Sequence, residues 1–243
     1  MAAFLRLWAS AVLIMCVLGA ASASAETQET TLTARVQVEG DKTPVSNQMQ
    51  NVVVWLSPVD PRTPMRPFPA GRLRLTQHHK SFEPHLLVVP VGAVVEFPNR
   101  DPFFHNVFSL FEGKRFDLGL YEAGTTRNVS FDRPGVSYIF CNIHAEMSAV
   151  VIALDTPYFG ISNRSGEVIV PKVPVGRYMM KVWYEAALPA TLDALTREIN
   201  VTPETSTLGV LQIAPPIVTN AHKNKYGMDY EPPAPNSPGY DHP

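Results

Sequence analysis

Cys141, His144 and Met147 stand three apart in the run FCNIHAEM. A thiolate, an imidazole and a thioether at that spacing, where a strand runs out into a loop, can fold around one metal ion. A second imidazole, His105, opens the segment HNVFS 36 residues upstream. In a Greek-key sandwich, strand ends far apart in sequence meet at one pole. Soft sulfur ligands select Cu(I), and imidazole suits copper in both oxidation states; two His, one Cys and a weak axial Met make up the copper electron-transfer ligand set. Zinc accepts Cys and His, but its structural sites have little use for Met. Glu146, beside Met147, is the alternative axial donor, through oxygen.

Cysteine usage points the same way. The chain encodes two cysteines. Cys16 lies in an N-terminal apolar stretch, which follows Arg6 and ends in the small residues ASASA. That order of a basic residue, a short apolar core and an A-x-A ending predicts a secretory signal peptide over 1–25. The apolar run falls short of the roughly 20 residues a membrane span needs, and no later stretch of the chain is apolar for long enough either. A mature chain from Glu26 then carries Cys141 alone, which cannot form an internal disulfide. Exported proteins use cysteine mostly in pairs, so a single one calls for a reason, and ligation is one. A buried cysteine acting only as a small hydrophobe is the other reading. Without Arg6, 19 basic face 22 acidic side chains, a net charge of about −3. No basic stripe invites nucleic acid, and nothing favours a membrane surface.

The elements that must position these residues read as strands. Leu32, Ala34, Val36 and Val38 alternate with polar neighbours, the period-two mark of a half-buried strand. Further strands are predicted at 51–56, 105–109, 127–131, 136–141 and 149–154, with the apolar run 86–97 split in two by Pro90 and Gly92. Residues 58–85, rich in Pro, Arg and His, read as a long loop or insertion. After Asp155 the composition shifts. A strand, a Ser-Gly turn, a strand, a Pro-x-Gly turn and a strand ending near Trp183 and Tyr184 follow, then strands at 197–201 and 207–213 and one helical turn at 191–195. From Ala214 the chain is poor in apolar residues, and an unpacked tail is expected over 214–243. The domain reading is 26–155 for the metal domain and 156–213 for a small second sandwich, or alternatively one enlarged sandwich.

The segments VPVGAVVEFPN, HNVFS, FDLGLYEAG, FDRPGV, CNIHAEM and DTPYF resemble the cupredoxins, in particular the plastocyanin- and amicyanin-like branch and the exported plastocyanin-like proteins labelled methylamine-utilisation-like. The likeness covers residues 84–160 well and 30–60 more loosely. It implies a Greek-key β-sandwich binding one copper, with His105, Cys141 and His144 as equatorial ligands and Met147 as the axial one. It also implies that Asn106 braces the ligand loop, with Asn142 beside the cysteine in the surrounding shell. Phe108, Tyr138 and Phe140 are candidates for the apolar wall, although alternation turns Phe140 away from Cys141. The run SGEVIVPKVPVGRYMMKVWY is similar to carboxypeptidase-regulatory and transthyretin-like sandwiches, which implies a structural or binding role for 156–213.

The expectation is therefore an all-β, periplasmic or secreted, type 1 (blue) copper protein that carries single electrons to and from a transient redox partner. A copper-binding, storage or delivery protein without electron transfer is the first alternative. A cell-envelope β-sandwich binding carbohydrate or a partner is the second. Catalysis is not expected: a nucleophilic cysteine needs a base and an orienting group, and Met147 has no place in hydrolysis. His78, His79 and His85 lie close together in sequence and raise the question of a second metal. His222, Met228 and His242 fall in the tail. The redox partner, the potential and the oligomeric state are not written in the chain.

Overall fold

Of the 243 residues, the computed structural model describes 28–39, 49–110, 113–214 and 222–230. Residues 1–25, expected to be a signal peptide, and His242 lie outside the described residues. The regular structure of the described residues is strand throughout, apart from one short helix at Pro189–Leu195 (α1), so the all-β expectation holds.

The chain opens with β1 (Glu29–Val38) and β2 (Val53–Pro58). It then forms β3 (Thr76–His78), β4 (Ser81–Glu83), β5 (Leu86–Pro90), β6 (Ala93–Pro98) and β7 (His105–Ser109). Next come β8 (Phe116–Tyr121), β9 (Thr126–Phe131), β10 (Gly135–Cys141) and β11 (Ser148–Leu154). The last strands are β12 (Phe159–Ile161), β13 (Glu167–Pro174), β14 (Gly176–Trp183), β15 (Arg197–Val201) and β16 (Thr207–Ile213).

These strands sort into two units by pairing. A five-stranded sheet in the order β5-β11-β10-β7-β8, with the β6-β9 and β3-β4 pairs, builds the unit that carries the metal-ligand candidates. Its core holds Val95, Phe97, Val107, Phe131, Ile139 and Val151. A three-stranded sheet β13-β1-β16 and a four-stranded sheet β12-β2-β14-β15 form the second sandwich, around Leu32, Val36, Leu56, Val170, Tyr178 and Leu211.

This corrects the expected boundary. The segment 26–58 was assigned to the metal domain, yet β1 runs between β13 and β16, and β2 between β12 and β14. The second sandwich is thus discontinuous in sequence, and the metal unit is inserted between β2 and β12. Alternation predicts that β1 buries one face, and its burial does alternate residue by residue. The period says nothing about which sheet receives that face. A second correction concerns 58–85. It contains the β3-β4 hairpin, with Leu75, Gln77 and Phe82 buried. The strands are only three residues each, too short to show a period.

The two units share a third apolar cluster. Val53 and Trp183 from the second sandwich meet Leu86, Val150, Ile152 and Leu154 of the metal unit. Strand β11 alternates its side chains between that interface and the metal-unit core, and six of its seven residues are buried. Such a strand, covered on both faces, reads as a continuous apolar run. The turn before β13 needs glycine: Gly166 has φ +74°, and a Cβ there would stand 2.5 Å from the Val36 carbonyl oxygen.

Candidate metal centre

Register brings the thiol and the first imidazole together. In the antiparallel β7–β10 pair, Val107 lies opposite Cys141 and Phe108 opposite Phe140. His105, two residues before Val107, projects from the same face as Cys141. All five residues of β7 are buried, so the imidazole is delivered from a central strand.

The remaining candidates sit on the hairpin joining β10 to β11. The pairing runs up to Phe140 opposite Ser148, and the Cys141 amide continues it by donating to the Met147 carbonyl at 3.1 Å. Met147 thus returns directly across from Cys141, with His144 in the loop between. The Met147 amide donates to the His144 carbonyl at 3.1 Å and closes the turn. Cys-x-x-His-x-x-Met is a clasp between two strands, with Cys141 ending β10, Met147 just before β11 and the imidazole in the loop between. Cys141 and Met147 are both fully buried in the same apolar cluster. Glu146 is exposed.

Sγ of Cys141 lies 3.6 Å from Nδ1 of His105 and 3.5 Å from Nδ1 of His144. The three donor atoms all fall within 4.8 Å of one another, and this is the only such group of three or more His, Cys, Asp or Glu among the described residues. Bonds of about 2.0–2.3 Å from a first-row ion to nitrogen and sulfur set neighbouring donors about 3.5–3.7 Å apart in a trigonal or tetrahedral set. Each imidazole nitrogen therefore already stands from the sulfur at the spacing that one shared ion requires, and the chemistry of the three donors suits copper.

The surroundings fix the protonation pattern. Nε2 of His105 lies 2.9 Å from Oδ2 of Asp101, and both groups are buried. A carboxylate only accepts, so Nε2 carries the hydrogen and Nδ1 turns a free lone pair toward the sulfur. Asp101 also accepts the His79 amide at 2.6 Å and the Lys80 amide at 3.0 Å. Burial would raise its carboxyl, but the Lys80 amide, the His105 ring and the His79 amide hold it below the ordinary value. Burial lowers the His105 pKa, with Asp101 opposing. Burial, together with the repulsion that a proton on His105 would exert and the charge of Lys80, brings His144 down to about 4. Both rings are thus neutral, the form that binds a metal, at ordinary pH. Burial pushes the Cys141 thiol up, against backbone amides of Ile143, Asn106 and His144 that favour the thiolate.

No protein-family model and no curated protein matches the chain. Solved structures similar to part of it include a purple cupredoxin from Nitrosopumilus maritimus, at 22% identity over 33% of this chain and 98% of that one, with a TM-score of 0.31. A Cu-containing nitrite reductase from Thermus scotoductus is similar at 21% identity over 49% of this chain and 28% of its own, TM-score 0.33. An oxidised amicyanin variant gives 21% identity over 35% and 83%, TM-score 0.32. These neighbours are cupredoxins.

Asn106 and Asn142 both touch the site. The Asn142 amide donates to the Asn106 carbonyl at 2.9 Å, and Nδ2 of Asn106 donates to Asp117 at 2.6 Å. The proposed aromatic wall is elsewhere. Phe108 and Phe140 pack on each other at 5.9 Å on the face opposite Cys141, and Tyr138 borders the interface between units. Phe103 takes that place instead, with its ring 5.3 Å from His105 and 5.6 Å from His144. The other histidines are occupied differently. His78 and His79 lie ring against ring at 3.7 Å, tilted by 31°. His85 bridges Glu185 at 2.6 Å and the Ser148 carbonyl at 3.1 Å.

Two contributors escape a reading of the sequence. Asp101 sits in PNRDPFFH, where an acidic residue four before His105 carries no periodic signal. The segment 222–230, expected to be unpacked, lies against the end of β10. There Tyr230 donates to the Cys141 carbonyl at 2.6 Å.

Proposed function

We propose that this chain is an exported, single-copper protein that carries one electron at a time, with His105, Cys141 and His144 as the main ligands and Met147 as the axial donor. The observation that carries this reading is the convergence of two imidazole Nδ1 atoms on one buried sulfur, at 3.6 and 3.5 Å. Copper bound there would supply a one-electron couple between Cu(I) and Cu(II).

The chain's own residues do the rest. His105 is held by Asp101 and cannot swing when the ligand charge changes. The amides facing Sγ stabilise a thiolate in a buried setting. A donor set fixed by two strands and a short hairpin keeps one geometry through a change of charge, which lowers the reorganisation that a transfer requires. Met147, rather than Glu146, is favoured as axial donor because it is buried across the hairpin from Cys141 while Glu146 points to solvent. His144 is only partly buried. Phe104 and Ile143, at 50% and 47% exposure, supply apolar surface beside the ligand-bearing segments for a brief redox encounter, a class that buries under about 1,200 Å². In this reading the chain is not an enzyme, and it acts in the periplasm or outside the cell. Among the described residues no helix is long and apolar enough to cross a membrane.

The test is metal content and visible spectrum of the purified protein. One copper per chain, an intense visible band and a reversible couple support the proposal. Copper held without a reversible couple would replace it with storage or delivery. No copper retained would remove it. Cys141→Ser abolishes the band while leaving the strand content intact.

A further inference from the structure

The segment 222–230 is organised by its own bonds before it touches anything else. Oδ1 of Asn224 accepts the amides of Tyr226 at 2.9 Å and Met228 at 3.1 Å. Its backbone amide donates to the Met228 carbonyl, and the Gly227 amide donates back to the Asn224 carbonyl, both at 2.9 Å. A pre-shaped turn of this kind loses less freedom on docking than an unstructured tail would.

Its contacts fall on a narrow set of residues. Tyr230 donates its hydroxyl to the carbonyl of Cys141. The Lys225 amide donates to Oδ1 of Asn142 at 2.9 Å. Nζ of Lys225 reaches Oδ2 of Asp117 at 2.9 Å, and the other oxygen of Asp117 accepts from Asn106. His222 stacks on Phe140 at 4.2 Å and meets Tyr230 edge-on at 5.2 Å. These partners are Cys141, the residues on each side of it, and Asp117, which in turn accepts from Asn106, the neighbour of His105.

We propose that residues 222–230 form a positioning strap, which holds Cys141 and Asn142 against Asn106 and so fixes the separation of the sulfur from the first imidazole. Tyr230 and Lys225 act through other residues and touch no donor atom. Cys141 is already the last residue of β10, where the ladder gives way to a loop. A strand end is where local opening is easiest. The strap adds two hydrogen bonds at that point, one to a backbone carbonyl and one to a side chain that follows it.

The experiment compares the full chain with Tyr230→Phe and Asn142→Ala. Without metal, hydrogen exchange is followed over 141–147, and alkylation of the Cys141 peptide by mass spectrometry. Each variant is expected to exchange and alkylate about fivefold faster there, the loss of one net hydrogen bond, with protection elsewhere unchanged. With copper, a reading that rests on the proposed function, the ratio of Cu(I) to Cu(II) affinity falls about threefold as water gains access to the sulfur, a potential about 28 mV lower. Unchanged exchange over 141–147, or equal acceleration in every protected strand, overturns the proposal. Faster local exchange with an unmoved potential overturns the claim that the strap sets the sulfur's geometry. Should the parent chain hold no copper, the copper reading fails, while exchange and alkylation still decide the strap.

Discussion

Asp101→Asn is the sharpest perturbation of the centre that leaves its ligands in place. The carboxylate is 3% exposed and receives three donors: the His79 amide on Oδ1, and the Lys80 amide and the His105 ring on Oδ2. An asparagine keeps the shape but must turn its NH2 toward one side. Facing His79, it leaves one part-buried amide without an acceptor. Facing His105, it opposes the Lys80 amide and drives the ring to the tautomer with hydrogen on Nδ1, the atom meant to ligate. The first arrangement leaves one part-buried donor unsatisfied, which costs about 1 kcal/mol, the low end for an unmade hydrogen bond. The second removes the lone pair from the site, and changes of this kind beside a ligating His cost roughly 10–100-fold in metal affinity. Urea unfolding of the metal-free chain reads the first effect, and a chelator competition for Cu(I) reads the second. The expected result is a loss of stability in either arrangement, joined by a loss of affinity where the NH2 faces His105, with the rest of the strand structure intact. Stability within about 0.5 kcal/mol of the parent and affinity within twofold would refute the argument that Asp101 sets the His105 tautomer.

Two further predictions follow from particular contacts. Met147→Leu conserves volume in the core and should shift stability by less than about 1.5 kcal/mol. It should also move the reduction potential by more than about 59 mV, tenfold in affinity ratio, and an unmoved potential takes Met147 out of the site. Between the two units, the Glu185 hydrogen bond raises the His85 pKa against opposing burial. The contribution of this pair is therefore complete below the unfolded value near 6.5 and fades as pH rises through the folded one. Both side chains are about two-fifths exposed, so it amounts to at most about 1 kcal/mol. Denaturant midpoints from about pH 5.5 to 8.5 should fall more in the parent than in Glu185→Gln; identical profiles would show that the pair contributes nothing.

Much of the centre was legible because its signals are local. Cys141, His144 and Met147 share one hairpin, and the spacing alone implies a common turn. His105 is reached by one strand pairing, and its segment HNVFS is predicted with the same bounds as β7. The split at Pro90 and Gly92 also appears, between β5 and β6. The strand β8 gave less warning: Gly119 at φ +67° interrupts it, and its burial does not alternate. What stayed hidden depends on partners remote in sequence. Burial of one face of β1 is periodic, but its placement between β13 and β16 is a property of topology. Asp101 becomes meaningful only when the β3-β4 hairpin presents its amides. The strap is polar and poor in apolar residues, so composition reads it as solvated. It docks through hydrogen bonds to the backbone and to Asn142, which no hydropathy pattern records.

The central claim is that one sulfur and two imidazoles bind a single copper ion. X-ray absorption at the copper edge of the loaded, full-length protein tests it most directly. One short sulfur contact and two imidazole nitrogens are expected around each copper, with the sulfur lost in Cys141→Ser. A first shell of nitrogen and oxygen alone, unchanged by that substitution, would contradict it.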